Sequence, residues 1–394
     1  MKKNDILYLF ANNEEIYGGE GMVILDLKVD NFFAFKDFHV NFTYPKKIVG
    51  SYIEDEYLLG RKNFRYKKVN IIMGANATGK TTLGLILMDI FNLIERKNYV
   101  LLTENISNPK KSASFTIELA SDSYKMYRIN CQIDAKKNLD YSDSDIRMHV
   151  ESVDIGLRDS YEICKEKLDK KMNLKQKTNM LDELEKVERL FWLFETPADF
   201  KSELNLPKND AIFIEVLRKT LMALDSSITA VEKVKDISGA YRIKLTDRQI
   251  IIQDGERVTT KVLSSGTKAG IGVACVIDSV LQGKNRFYYC DEKFSYIHSD
   301  IEKAVLGLMI DKIRPNEQLF FTTHNTEILD MNLPKHSFMF MKKDNYGEES
   351  IIECVQADTF LKRNTDSLKK AVENDLFSVA PSTDLIYEIG YLFD

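Results

Sequence analysis

The chain has 394 residues, 44% of them hydrophobic and 29% charged, which fits a soluble globular protein of two or three domains or one large domain with an insertion. Its 55 basic residues are outnumbered by 60 acidic ones, and the net charge of −5 excludes a generally basic nucleic-acid coat while allowing a local basic patch. No run of about 18 apolar residues is present, which excludes an integral membrane transporter.

The first residues are basic, but the apolar run ILYLFA is broken by Asn and Glu and is too short for a signal peptide. Residues 23–44 alternate as two strands around Asp30 and Asn31. Residues 68–73 read as a short buried strand, followed by a glycine loop and a helix to about residue 96. Residues 113–133 and 146–155 alternate again, with turn residues between, as in an antiparallel sheet. The texture then changes. Residues 159–226 are dense in Lys, Glu, Asp and Leu and predict two or three amphipathic helices, broken near Pro197 and Pro207. Strands resume over 228–253. The last third predicts helix 267–282, strand 286–290, helix 299–313, strand 318–322, helix 325–331 and strand 337–341, an α/β pattern around a largely parallel sheet. Residues 358–394 predict helix ending in an apolar tail from Ile386 to Phe393.

Five cysteines (Cys131, Cys164, Cys275, Cys290 and Cys354) are scattered without C-x-x-C spacing. Neither a disulfide framework nor a zinc site follows, and a reducing cytoplasm fits. The Lys-rich run 165–177 is interleaved with Glu166 and Asp169 and reads as a solvated helix face. The run LFWLF over 190–194 holds the single Trp, Trp192, and reads as the packed side of a helical lid.

Residues Gly74, Ala75, Asn76, Ala77, Thr78, Gly79, Lys80 and Thr81 match G-x-x-x-x-G-K-[ST] at every fixed position, between an apolar strand and a helix. Such a loop turns its backbone N–H groups onto phosphate oxygens, and the helix start adds a favourable dipole. ATP with Mg²⁺ is the expected ligand. Lys80 would reach the β and γ phosphates, Thr81 would hold Mg²⁺, and Thr82 continues the binding turn. Downstream, the apolar run at 287–290 delivers Asp291 and Glu292 at a strand end, where open α/β sheets bind ligands. Asp291 would hold Mg²⁺, and Glu292 would be the general base for the attacking water. A further strand, 318–322, leads to His324, placed for the γ-phosphate or the water. Ser265 and Gly266, in the stretch LSSGTK over 263–268, open a helix and form a second anion seat, economically one for the nucleotide of another copy.

In chain order, residues 74–81, 263–268, 291–292 and His324 resemble the Walker A, signature, Walker B and H-loop motifs of the ABC-type ATPases. The opening segment 29–37 (VDNFFAFKD) resembles the soluble branch that includes RecF, SMC and OLD-like ATPases. LSSGTK, TTHNTEIL over 322–329 and the segment 362–368 are most similar to the abortive-infection ATPases of the AbiL and PARIS AriA kind. The resemblance implies an α/β P-loop NTPase: an ABC-type ATPase head with an antiparallel β subdomain and a helical insertion. Residues 1–158 would be the half with Walker A, 159–226 a helical insertion or lid, and 227–394 the half with signature, Walker B and H-loop. It implies a cytoplasmic, Mg²⁺-dependent ATPase that closes head to tail around ATP as a homodimer, or assembles further, without a membrane. It also implies a role in anti-phage defence: a trigger, DNA or a phage protein, would act through the ATPase on a separate toxic effector of Toprim type. Residues 159–226 are too few for coiled-coil arms, and the chain after His324 is too short for a Toprim nuclease of its own. Three positions depart from the family pattern. Phe33 stands where relatives often carry a basic residue, and no Q-loop glutamine stands in its usual place, Gln132 at a strand end being the best candidate. Lys293 follows Glu292 and is expected to lower its basicity and slow hydrolysis. The alternatives are a RecF-like DNA-repair ATPase and a slow or non-hydrolysing nucleotide-sensing scaffold.

Overall fold

The computed structural model describes residues 21–48, 50–136, 140–171, 179–195, 206–207, 211–255, 263–346, 349–362, 366–379 and 384–390. Residues 172–177 of the Lys-rich run, Pro197, residues 363–365 of the closing motif and the end of the apolar tail lie outside them.

The chain enters on β1 (Met22–Asp30) and returns on β2 (Phe38–Asn41). The turn between them carries Asn31 and Phe33 in left-handed conformation (φ 62° and 50°). It is held there because the Asn31 amide donates to the carbonyls of Asn108, Lys111 and Ser112 at 2.9, 3.2 and 3.1 Å, and the Phe33 N–H donates to Asn105 O at 2.8 Å. A small hairpin, β3 (Tyr57–Leu58) and β4 (Arg61–Arg65), precedes β5 (Val69–Met73), α1 (Lys80–Arg96) and α2 (Val100–Glu104). Then come β6 (Ala113–Ser121), β7 (Lys125–Ile133) and β8 (Ile146–Asp154). These three join the first two strands in an antiparallel sheet ordered β2-β1-β6-β7-β8.

After α3 (Tyr161–Lys171) and α4 (Met180–Leu184) the chain forms β9 (Trp192–Glu195) and α5 (Ala211–Leu224). A three-stranded meander, β10 (Ile228–Lys233), β11 (Ala240–Leu245) and β12 (Gln249–Gln253), leads to α6 (Ser265–Gln282). The last third is β13 (Phe287–Asp291), α7 (Ser299–Lys312), β14 (Gln318–Thr322), β15 (Phe338–Tyr346), β16 (Glu349–Gln356) and three short helices, α8 (Ala357–Phe360), α9 (Leu368–Glu373) and α10 (Asp384–Gly390). The second large sheet is ordered β16-β15-β5-β14-β13-β9. Its five strands from β15 to β9 are parallel, and β16 pairs antiparallel to β15 at one edge.

Helix α1 explains how the two sheets combine. Leu83, Ile86, Leu87, Ile90 and Phe91 are buried on one side of it and Met88, Asp89 and Asn92 on the other, so it must be covered on both sides. The antiparallel sheet covers one side, and Trp192, Phe287, Tyr289 and Phe320 of the parallel sheet cover the other. The opposite face of the parallel sheet packs on α6 and α7 through Val273, Val276, Leu306 and Met309. Helix α5 and the meander build a satellite core on Phe213, Leu217, Tyr241 and Ile243 that also takes Ile271 and Ala274 of α6. Among the described residues, no helix is long and apolar enough to cross a membrane.

Three expectations differ from the structure. Residues 192–195 are not part of a helical lid; they are the edge strand of the parallel sheet, with Phe287 opposite Trp192. The run LFWLF is continuously apolar and aromatic, as buried parallel strands are, and the helix before it, α4, already ends at Leu184. The C-terminal stretch is not one helix either, since α8, α9 and α10 are separate short pieces; residues 326–330 form a 3₁₀ turn.

Candidate nucleotide site

The phosphate loop leaves the middle of the parallel sheet. Gly74 has φ 152° and lies so close to β15 that a Cβ there would sit 2.3 Å from the Met341 carbonyl oxygen, so no larger residue fits. Ala77 is left-handed (φ 61°), and Gly79 (φ 99°) is the N-cap of α1. The Thr78 hydroxyl closes the loop by donating to Ala75 O at 2.8 Å. Asn76 and Ala77 are exposed at the tip, and Thr81 and Thr82 are half-buried in the first helical turn. That helix start has neither a side-chain cap nor an acidic residue in its first turn. Its backbone donors are therefore not taken by its own side chains. The Lys80 ammonium, almost buried, donates to Gly74 O at 2.9 Å and Ala75 O at 3.0 Å. Burial pulls its pKa below the usual lysine range, against the opposing pull of Glu292.

Strand β13 brings Asp291 and Glu292 to this loop. Asp291 is fully buried. The Thr322 hydroxyl donates to its Oδ1 at 2.7 Å, while Oδ2 has no hydrogen-bond partner. Burial holds its carboxyl above the usual range, and the hydroxyls of Thr322 and Thr81 pull the other way. Glu292 stands in left-handed conformation (φ 42°), half-buried, with Oε1 2.8 Å from His324 Nε2 and 3.2 Å from Lys80 Nζ. The His324 contact and the Lys80 charge keep Glu292 below the usual carboxylate range, so it is ionised at neutral pH. Residues 74–81, Asp291, Glu292 and His324, far apart in sequence, thus meet at the ends of β5, β13 and β14.

Several groups at this junction carried no sequence signal of their own. Thr322 donates to Asp291 and accepts the Glu292 N–H at 2.8 Å, so one hydroxyl orients both acids. The buried Tyr289 hydroxyl donates to Lys80 O at 2.7 Å and ties β13 to α1. On α7, buried Glu302 accepts from Thr323 Oγ1 at 2.6 Å and Asn325 Nδ2 at 2.8 Å, gripping the residues on both sides of His324. Thr322, Thr323 and Asn325 lay inside the stretch 322–329 and Tyr289 inside the apolar run 287–290, but none was assigned a role from the sequence.

Lys293 does not do what its position suggested. Its side chain is turned inward and pairs with Glu195 at 2.9 Å, at the end of β9. The cation in contact with Glu292 is Lys80.

Ser265 and Gly266 open α6. Ser264 is the N-cap, and its hydroxyl accepts the Thr267 N–H at 3.1 Å. Ser264 and Ser265 are exposed, and Gly266 lies against the Tyr296 carbonyl of the segment after Glu292. Among the described contacts, none joins Ser265 or Gly266 to the phosphate loop of the same chain. Gln132 is exposed on β7, opposite Ser114 and Arg147 in the antiparallel sheet. In the described part of the Lys-rich run, Lys165 reaches Tyr161 Oη at 3.2 Å and Lys167 pairs with Asp159, as on a solvated face. None of the five cysteines forms a disulfide, and among the described residues no group of three or more His, Cys, Asp or Glu side chains is placed to hold a metal ion.

Comparison with known proteins adds neighbours of similar trace. The SMC head domain with an extended coiled coil, bound to the C-terminal domain of ScpA and derived from Pyrococcus furiosus, is 12% identical over 86% of this chain and 98% of its own, with a TM-score of 0.47. The SMC head domain from Thermotoga maritima is 12% identical over 84% and 99%, at 0.39. The recombination mediator protein RecF is 11% identical over 86% and 100%, at 0.41. No protein-family model and no curated protein matches the sequence.

Proposed function

We propose that the chain is an ATPase of ABC type that binds ATP–Mg²⁺ at residues 74–82 and hydrolyses it with Glu292 as general base. The observation that carries this reading is the meeting of Lys80, Asp291, Glu292 and His324 at one uncapped helix start. The residues fit a hard divalent cation. Asp291 presents a buried oxygen without a partner beside the Thr81 hydroxyl, and carboxylate with hydroxyl is the donor set Mg²⁺ takes alongside phosphates. When bound there, Mg²⁺ would draw charge from the phosphate oxygens. The chain's own residues would do the rest. The α1 N–H groups and Lys80 would bind and orient the phosphates. Glu292, ionised and aimed by His324 and the Thr322 hydroxyl, would take the proton of the attacking water. His324 would hold the γ-phosphate or that water.

Ser265 is exposed and Gly266 half-buried at the start of α6, where a seat for the nucleotide of a second copy would need an exposed hydroxyl. Two chains closing head to tail would each complete the other's site, and loss of the γ-phosphate would release them. We assign this cycle to the cytoplasm and to control of a separate toxic effector in anti-phage defence; the likeness of 263–268, 322–329 and 362–368 to abortive-infection ATPases supports that role.

The test is the Glu292→Gln variant, weighed by light scattering with and without ATP–Mg²⁺. It is expected to keep ATP, lose turnover and double its mass only with the nucleotide. Wild-type turnover in this variant would remove Glu292 from the mechanism, and a constant mass would remove ATP-driven closure.

A further inference from the structure

We infer that Lys293 and Glu195 are positioning residues for Glu292: their ion pair, seated on Gly272 of α6, fixes the turn that aims Glu292 and locks it to the helix that begins with Ser265 and Gly266. The inference rests on the reading of Glu292 as the base.

The turn after β13 needs holding. A left-handed backbone at a residue such as Glu292 persists only where its surroundings over-determine it. Three bonds act from within: the Glu292 N–H to Thr322 Oγ1 at 2.8 Å, and the Glu292 carbonyl from Ser295 N at 3.2 Å and Ser295 Oγ at 2.8 Å. The next residue supplies an anchor from outside. Lys293 leads away from the nucleotide with its side chain 9% exposed, and its ammonium ends 2.9 Å from Glu195 Oε2, itself 18% exposed. A pair this sheltered is held firmly, because separating it would leave a charge without compensation.

The pair lies directly on α6. A Cβ added at Gly272 would fall 2.2 Å from Lys293 Cε, 2.6 Å from Lys293 Nζ and 2.8 Å from Glu195 Oε2. The missing side chain at position 272 is the space the pair occupies. Glu195 in turn is set by β9. Its neighbour Phe194 stacks on Tyr289 at 4.7 Å between ring centres, and the Tyr289 hydroxyl holds Lys80 O. The end of β9 is therefore tied to α1, to the turn carrying Glu292 and to α6. A shift of α6 would pass through Lys293 to Glu292, and the reverse.

The experiment is steady-state ATP hydrolysis by the full chain carrying Lys293→Met, Glu195→Gln, both together, or Gly272→Ala, with thermal melts alongside. Each is expected to lower kcat by about tenfold or more while KM stays within about twofold. The double variant leaves no unpaired charge and is expected to melt near wild type yet remain slow. In a Glu292→Gln background, none should reduce turnover further. A double variant that melts like wild type and turns over at the wild-type rate overturns the inference. A loss of kcat that tracks the melting temperature, with KM rising in step, also overturns it, since that marks a purely structural pair. Glu292→Gln separates the two levels. If it hydrolyses like wild type, the base assignment fails first; if it is inactive while the double variant is fast, only the positioning role fails.

Discussion

Helices α1 and α6 both begin at a glycine-bearing turn and both bury most of their length, yet their starts are built oppositely. The α1 start follows a loop with left-handed residues and has Gly79 as N-cap, no side-chain cap and no acid. At the α6 start, Ser264 caps the Thr267 N–H, Ser264 Oγ lies 2.7 Å from Thr267 Oγ1, and Thr267 is within 3.2 Å of Asp225. One start leaves its donors untouched by its own side chains. At the other, Ser264 takes the Thr267 N–H, Ser265 is exposed, and Gly266 is half-buried against the Tyr296 carbonyl. In the proposed reading the difference teaches that α1 would hold a phosphate by itself, whereas α6 would only add to a phosphate held elsewhere. The same contrast recurs inside the helices. Asp278 of α6 is paired with Lys284 at 2.8 Å, while Asp89 of α1 has Asn105 at 2.8 Å on one oxygen and no partner on the other.

The strongest way to break this contrast is at Lys80. Lys80→Ala should weaken ATP binding by about a hundredfold or more, read by calorimetry. Affinity within about twofold of wild type would show that the α1 donors suffice. Next is Gly266→Asp, which sets a carboxylate where the second copy's phosphate would dock. It should leave ATP affinity unchanged, lower kcat by about tenfold or more and abolish the mass shift of the Glu292→Gln variant. Unchanged kcat would detach α6 from the reaction.

Third, the unpaired Asp89 should make stability depend on pH. Burial raises its pKa from 3.8 to about 7 in the folded chain. Between those values the native state holds a proton that unfolding releases, so stability falls as pH rises through that window and levels off above about 7. Asp89→Asn should flatten that slope and gain on the order of 2 kcal/mol at pH 8, in denaturant titrations at several pH values. Glu317, also raised to about 7 by burial, keeps part of the slope. An unchanged slope would mean Asp89 is ionised in the folded chain. The smallest effect is expected at Ser264→Ala, which removes the α6 cap and should cost about 1 kcal/mol of stability without changing ATP affinity.

The site residues that the sequence exposed are those whose spacing the ligand dictates. In the proposed function residues 74–81 would wrap a phosphate, and Asp291 and Glu292 come at the end of a buried strand, so both patterns stand out in one dimension. Thr322 could be quoted as part of a motif, but its bond to Asp291 depends on the β13–β14 register that sets Asp291 opposite Thr322. Glu195 and Gly272 were illegible for the same reason. Strand β9 is read as strand only once Trp192 lies beside Phe287, and nothing near residue 192 announces that partner. Lys293 was visible and misread, because its neighbour in sequence is not the group its side chain reaches.

The strand order also has a consequence for how the protein is made. The antiparallel strands β1, β2, β6, β7 and β8 are all complete by residue 154. By contrast β5, which launches the phosphate loop, pairs with β14 (Val69 opposite Leu319) and β15 (Ile71 opposite Phe338). During synthesis the loop at residue 74 therefore waits without its sheet neighbours until residues 318–340 have followed it. Contacts this distant in sequence form slowly. The nascent chain can fold its first sheet early, but the loop gains its sheet neighbours only once residues 318–340 have been made.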